Sequence, residues 1–293
     1  MTQVITHRGL RPSQSDFFSE SSVEAFEAFL QRGWGLEFDP AFATDGIAVT
    51  HDTTLTRLTN GHDKRYVKDV SLHDLLTIPL KNGRLCTLDE LLDLIVRYGV
   101  GNNALHFKGG YQNPENTERL IEVLKDHPKA LELLFVFDAT PQIAKQLKAA
   151  LPTLKIGASV AHPYDIQRYQ KCVYGTLLTL DEAIAHKDLY SWVWLDEWDL
   201  TDSDGGPKDL YNRDVFAKAK KAGFKVALVT PELHGTSPGL LGGEAHPDAS
   251  DRDTLFNRIE QIILLQPDAI CTDYPDEAET LIAESIHSIA KTD

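Results

Sequence analysis

The stretch Leu36–Asp52, LEFDPAFATDGIAVTHD, opens as a strand. Side chains alternate along Leu36-Glu37-Phe38-Asp39, so Glu37 and Asp39 share one face while Leu36 and Phe38 pack on the other. Two carboxylates on neighbouring positions of one face repel each other unless a cation lies between them, and hard cations such as Mg²⁺ or Ca²⁺ take oxygen ligands of this kind. The alternative is a solvated strand end. Asp45-Gly46 then predicts a two-residue type I′ hairpin turn, whose central positions both need positive φ. Folding on that turn pairs Thr44 with Ile47 and, further out, Pro40 with His51, so the His51 imidazole is expected beside the strand end that carries Asp39. A cation site with a titratable imidazole next to it suits phosphoryl chemistry: the metal neutralises the anion and the imidazole moves a proton near neutral pH.

On either side of this stretch, short β-branched or aromatic runs alternate with helical patterns, the signature of βαβ units around a parallel sheet. Strands are expected at Val4–Thr6, Trp34–Asp39, Asn103–Lys108, Leu133–Asp138, Lys155–Val160, Trp192–Asp196, Lys225–Thr230 and Ala269–Thr272. Helices are expected at Ser22–Gln31, Leu88–Tyr98, Asn116–Lys125, Pro141–Ala150, Leu180–His186, Asp214–Gly223 and Asp251–Leu265. About eight strands is the number that closes a (β/α)8 TIM barrel, an α/β fold of roughly 250 residues. The expected organisation is a single domain over residues 1–293, with a small insertion after the second strand at about 53–87. A second long connection, Asp199–Arg213, follows the sixth strand; loops of this size in a compact fold tend to be functional.

The 293 residues are 42% hydrophobic and carry a formal charge of −15, which argues against a nucleic-acid partner. Cys86, Cys172 and Cys271 lie too far apart for a Cys-x-x-Cys metal or redox site, and a reducing compartment fits best. With no basic segment ahead of an apolar run and no apolar run of spanning length, a cytoplasmic protein without stable membrane insertion is expected, as monomer or homodimer.

Barrel enzymes place their chemistry at the C-terminal ends of the strands. Strand one ends in His7-Arg8-Gly9, strand three in His106-Phe107-Lys108, strand six in Asp196-Glu197 and strand eight in Thr272-Asp273. His106 and Lys108 stand at i and i+2, so both face inward if either does, and an inward lysine needs an anion.

These residues carry a resemblance to the glycerophosphodiester phosphodiesterase family, a group of metal-dependent TIM-barrel phosphodiesterases. The family's opening His-Arg-Gly is matched by His7-Arg8-Gly9, and its Pro-Glu-Asn-Thr only by Ser19-Glu20-Ser21-Ser22. Its Glu-x-Asp, Thr-Asp-Gly and His-Asp are matched by Glu37 with Asp39, Thr44-Asp45-Gly46 and His51-Asp52, continued by Leu55, Arg57 and Thr59. Thr87-Leu88-Asp89-Glu90-Leu91 resembles the next helix start and Thr272-Asp273-Tyr274-Pro275 the last strand. The match is specific over the first ninety or so residues and thin between Ala139 and Pro267. Two positions depart from the pattern: the third strand's usual Glu-x-Lys reads His106-Phe107-Lys108, and strand seven's frequent Trp-Thr reads Val229-Thr230.

The resemblance implies hydrolysis of a small glycerol-containing phosphodiester to glycerol phosphate and an alcohol. On that reading His7 and His51 are catalytic, Arg8 and Lys108 bind the phosphate, and Glu37, Asp39 and His106 hold the metal. The divalent metal is Mg²⁺ or Ca²⁺ by resemblance, with Mn²⁺ or another transition metal allowed by His106. Glu20 and Glu197 are weaker candidates to help hold it, and Trp198 is a weaker site candidate still. A lysophospholipase D or sphingomyelinase D-like activity would need an apolar groove for an acyl chain. A non-catalytic phosphate-binding barrel would have no use for two positioned imidazoles.

Three motifs are set aside. Pro114-Glu115-Asn116-Thr117 spells the family's tetrapeptide but follows the third strand, and is expected to be a helix N-terminus capped by Asn116 or Thr117. Gly235-Thr236-Ser237-Pro238-Gly239 has nucleophile-elbow spacing, yet Pro238 lacks the N–H that an oxyanion hole needs. Asp202-Ser203-Asp204-Gly205 is expected to be a turn.

Overall fold

The computed structural model describes residues 2–198, 200–233 and 246–289. In chain order the strands and helices begin β1 (Gln3–His7), α1 (Val23–Gln31), β2 (Gly35–Phe38), β3 (Pro40–Phe42), β4 (Ile47–Val49), α2 (Leu72–Leu76) and α3 (Leu88–Tyr98). They continue with β5 (Asn103–His106), α4 (Pro114–Asp126), α5 (Pro128–Leu133), β6 (Leu134–Phe137), α6 (Pro141–Ala150), β7 (Lys155–Val160) and α7 (Pro163–Tyr169). The rest are β8 (Leu177–Leu178), α8 (Leu180–Ala185), β9 (Trp192–Leu195), α9 (Arg213–Lys221), β10 (Lys225–Val229), α10 (Arg252–Leu264), β11 (Ala269–Thr272) and α11 (Pro275–Ile289). The strand order β6-β5-β2-β1-β11-β10-β9-β7-β8, with β6 also pairing β7, is that of a closed parallel (β/α)8 barrel. Its eight staves are the eight strands expected from the sequence. The two-residue β8, beside β7, is an addition.

The chain forms two compact units. One comprises Ile5–Val136 with Lys145–Lys155. Here Leu36 and Phe38 of β2 are fully buried, as are Phe26 and Phe29 of α1 and Leu91, Leu92 and Ile95 of α3. Removing each such side chain from water contributes about 1.5–3 kcal/mol. Ser22 caps α1 by accepting a hydrogen bond from the Ala25 N–H, and Gly99 closes α3 at φ 66°.

The hairpin differs from expectation. Its register is Pro40↔Val49, Ala41↔Ala48 and Phe42↔Ile47, two residues away from the expected pairing. The loop therefore spans residues 43–46, and the Ala43 N–H donates to the Gly46 carbonyl (3.0 Å). Neither Asp45 nor Gly46 adopts positive φ, so no type I′ turn forms. Tertiary contacts override the local preference: Asp45 Oδ1 accepts from the Leu72 N–H (2.6 Å), the Thr44 N–H donates to Val70 O (2.9 Å), and Arg119 donates to Ala43 O and Gly46 O. A Cβ on Gly46 would stand 2.4 Å from Leu72 Cδ2, so any side chain there requires Leu72 to shift. Within residues 53–87, Leu55, Val67, Val70, Leu75 and Leu85 pack with Ala41, Ala43 and Ala48 of the hairpin.

The other unit comprises Met1–Val4, Phe137–Ala144 and Ile156–Asp293. Phe137 stacks on Trp194 (ring centroids 4.2 Å apart), and the buried Lys208 Nζ pairs with Asp165 Oδ1 at 2.5 Å. Helices α2, α5, α7 and α11 were not anticipated, α2 and α5 lying in the unit described first. The first three are short segments, α5 and α7 opened by Pro128 and Pro163, too brief to show a period, whereas α11 buries Ala278, Ile282 and Ser285 at helical spacing. The cap of α4 is Asn113, whose side chain accepts from the Asn116 N–H, with Pro114 in the first turn; neither Asn116 nor Thr117 caps it. Asp202 is a turn residue as expected, its Oδ1 accepting from the Asp204 and Gly206 N–H groups. Gly235–Gly239 lies outside the described residues.

Candidate active site

His7, Arg8, Glu37, Asp39, His51, His106 and Lys108 all lie in the first unit. β1 and β2 run parallel with His7 opposite Glu37, which brings two strand ends together. Arg8, just beyond β1, sits at φ 53° and is followed by Gly9 at φ 78°, two successive left-handed residues that turn the chain sharply off the strand. The Arg8 N–H donates to Glu37 O (3.1 Å) and Arg8 O accepts from the Ser21 N–H (2.7 Å). Backbone in this region is costly for a non-glycine residue, and such positions concentrate at functional sites. A Cβ on Gly9 would stand 3.1 Å from Ala25 Cβ, so glycine also permits the close approach of α1.

Glu37 and Asp39 are both buried. Around Asp39 gather two cationic groups and an imidazole: Lys108 Nζ at 3.1 Å and His106 Nδ1 at 3.0 Å from Oδ1, and Arg8 Nε at 3.7 Å from Oδ2. His106 Nδ1 also lies 3.6 Å from Glu37 Oε1, and Lys108 Nζ donates to the His51 carbonyl. His106 and Lys108 thus reach the same carboxylate, as their i, i+2 spacing requires. The two carboxyls are driven apart electrostatically. Burial, and then the neighbouring Asp39 charge, push Glu37 up to about 8. Burial would raise Asp39 as well, but Lys108, His51 and His106 hold it well below the usual carboxylate range.

Ligand atoms of Glu37, Asp39 and His106 fall within 4.8 Å of one another. Glu37 Oε2 is buried with no hydrogen-bond partner among the described residues. A buried carboxylate oxygen in that condition is costly, and a divalent cation with oxygen and imidazole ligands relieves it, so the donor set fits such an ion.

His7 and His51 are both buried. Burial, reinforced by Arg8, lowers the His7 pKa well below its ordinary value, and burial lowers that of His51 to about 4. His51 Nδ1 is 2.8 Å from Asp52 Oδ1. Asp52 is gripped by Arg57 (Nε to Oδ2 2.7 Å, Nη2 to Oδ1 3.0 Å), whose other edge binds Glu20 (Nη1 to Oε2 2.6 Å, Nη2 to Oε1 2.9 Å). Glu20 Oε1 lies 3.6 Å from Arg8 Nη1. Sequence reading gave Asp52 and Arg57 no role although both fall in quoted motifs; the only signal was their fixed offset from His51. Glu197 takes hydrogen bonds from the Leu210 and Tyr211 N–H groups and from Arg258, all within its own unit, and Trp198 packs on Tyr169.

A (β/α)8 barrel with buried carboxylates, imidazoles and cationic side chains clustered at its strand ends is a TIM-barrel enzyme scaffold whose cluster suits an anionic substrate such as a phosphoester. The model of the glycerophosphoryl diester phosphodiesterase family matches residues 7–277, and the chain belongs to that family. It is therefore an enzyme that hydrolyses glycerophosphodiesters. No curated protein sequence matches the chain. Among solved structures it is similar to a glycerophosphodiester phosphodiesterase from Parabacteroides distasonis (17% identity, TM-score 0.67, covering 97% of this chain and 98% of that one). It is also similar to one from Agrobacterium tumefaciens (18%, TM-score 0.62, 97% and 100%). An Oleispira antarctica phosphodiesterase in complex with the product sn-glycerol-3-phosphate aligns at 21% identity and TM-score 0.62, covering 97% of both chains. At these identities the likeness shows the fold. No described helix is long and apolar enough to cross a membrane.

Proposed function

We propose that the chain cleaves a small glycerol-containing phosphodiester to glycerol phosphate and an alcohol, using His7 and His51 for proton transfer and a divalent cation at Glu37, Asp39 and His106. The observation that supports this most strongly is the convergence of Glu37, His106, Lys108 and Arg8 on one buried carboxylate, Asp39. When bound, the cation supplies charge neutralisation at a phosphate oxygen. Arg8 and Lys108 bind the phosphate and share the charge that develops on it, the guanidinium through paired donors and the ammonium as a point charge. One imidazole takes a proton from the attacking hydroxyl or water while the other delivers one to the leaving alkoxide. Burial favours the neutral form of both rings, which suits the accepting role; the anionic phosphate favours the protonated form of the donor.

Mg²⁺ or Ca²⁺ fits the two carboxylates, and His106 shifts the preference toward Mn²⁺. Two buried imidazoles are superfluous in a mere phosphate-binding barrel. The test is turnover of a panel running from glycerophosphocholine to lysophospholipids, for the parent and for His7→Ala and His51→Ala. Glycerophosphocholine should be preferred, and each variant should lose about 10²–10⁴-fold in kcat, the range for a general acid or base. Near-full activity in either variant removes that histidine from the chemistry, and a preference for lysophospholipids points to the lysophospholipase D reading.

A further inference from the structure

Asp52 and Arg57 take no part in the reaction outlined above, yet the structure commits both to His51. A carboxylate can only accept hydrogen bonds, so at 2.8 Å from Asp52 Oδ1 the hydrogen of a neutral His51 ring sits on Nδ1. That leaves the lone pair on Nε2, an atom buried with no hydrogen-bond partner among the described residues. Asp52 is ionised: burial works against it, but the hydrogen bonds from His51 and Arg57 hold its pKa well below the usual carboxylate range.

Asp52 is the immediate neighbour of His51 in the chain. Something must hold the carboxylate round toward the ring. Arg57 does so bidentately, and the same guanidinium is itself held bidentately by Glu20, so its plane is fixed from two sides. Glu20 then approaches Arg8 Nη1 at 3.6 Å. The series His51–Asp52–Arg57–Glu20–Arg8 ties the orientation of the imidazole to the side chain that binds phosphate. Ordinary surface ion pairs contribute little and need no such doubling.

We propose that Asp52 and Arg57 are positioning residues that fix His51 as its Nδ1–H tautomer with Nε2 ready to take a proton, Asp52 by accepting from the ring and Arg57 by holding Asp52. The inference rests on the reading of His51 as a proton-transfer group.

The experiment is ¹⁵N-histidine NMR of the full chain, with His51 assigned by the signals missing from His51→Gln, combined with steady-state kinetics on glycerophosphocholine. The parent should show a protonated Nδ1 and an unprotonated Nε2. In Asp52→Asn the amide can donate to Nδ1, so the signature should move toward Nε2–H while kcat falls by about 10²-fold, a share of what a general base supplies, and KM changes little. Arg57→Ala should lose kcat in the same way and regain part of it with millimolar guanidinium, a rescue that also guards against misfolding. A parent ring protonated at Nε2, or an Asp52→Asn enzyme with the parent's kcat, overturns the proposal. Full activity in His51→Gln sinks the underlying reading instead, and is recognisable because the parent's tautomer signature would still stand.

Discussion

The Nδ1 of His106 lies 3.0 Å from the Oδ1 of Asp39, so an imidazole fills the strand-three position where the family resemblance leads one to expect a carboxylate. The exchange removes one negative charge from beside Glu37 and Asp39, close to Arg8 and Lys108. Imidazole is also a softer donor than carboxylate.

Activity supported by Mn²⁺ or Co²⁺ should therefore exceed that supported by Mg²⁺ or Ca²⁺, and His106→Glu should raise the Mg²⁺- or Ca²⁺-supported rate relative to Mn²⁺. Rates measured with each metal for both proteins decide this. A variant with the parent's ranking would show that His106 does not set the preference.

Glu37→Gln should abolish metal binding while raising the metal-free melting temperature. Its Oε2 has no hydrogen-bond partner among the described residues and burial beside Asp39 penalises its charge, so a neutral amide relieves the fold as it removes a hard-cation ligand. Isothermal titration with Mg²⁺ and Mn²⁺, alongside thermal melts in a chelator, reads both effects. Unchanged affinity would place the cation elsewhere.

Glu232 carries a pH dependence of its own. Burial, and then Asp273, raise it to about 7, while Thr272, Thr230 and the Asp273 N–H all donate to its Oε1. Because the folded pKa stands above the unfolded value near 4.5, the folded chain keeps a proton that the unfolded chain releases. The contribution to stability is full below that value and is lost as pH rises toward 7. Glu232→Gln should flatten this fall, seen as a smaller difference in urea midpoint between pH 4.5 and pH 7.5. An identical slope in the two proteins would contradict it.

The barrel was legible because its strands are short runs rich in β-branched and aromatic residues alternating with helical patterns, and two strand ends announced themselves through the i, i+2 pairs Glu37/Asp39 and His106/Lys108. What escaped depends on contacts distant in sequence. The hairpin register is set by Leu72, Val70 and Arg119 reaching the turn, which no local Asp-Gly preference encodes. Arg57 lies 37 residues from Glu20, and only the folded chain shows that its guanidinium bridges two carboxylates. Glu197, a weak candidate for the cation site, proves to be committed to Leu210, Tyr211 and Arg258.

The central claim is metal-dependent hydrolysis at the Glu37–Asp39–His106 cluster, and ³¹P NMR of glycerophosphocholine incubated with the protein tests it most directly. The diester resonance should give way to that of glycerol phosphate, stop doing so in EDTA, and resume when Mn²⁺ or Mg²⁺ is restored, with Glu37→Gln silent throughout. A diester resonance that persists with every metal tried, or that disappears equally fast in EDTA, would contradict the account.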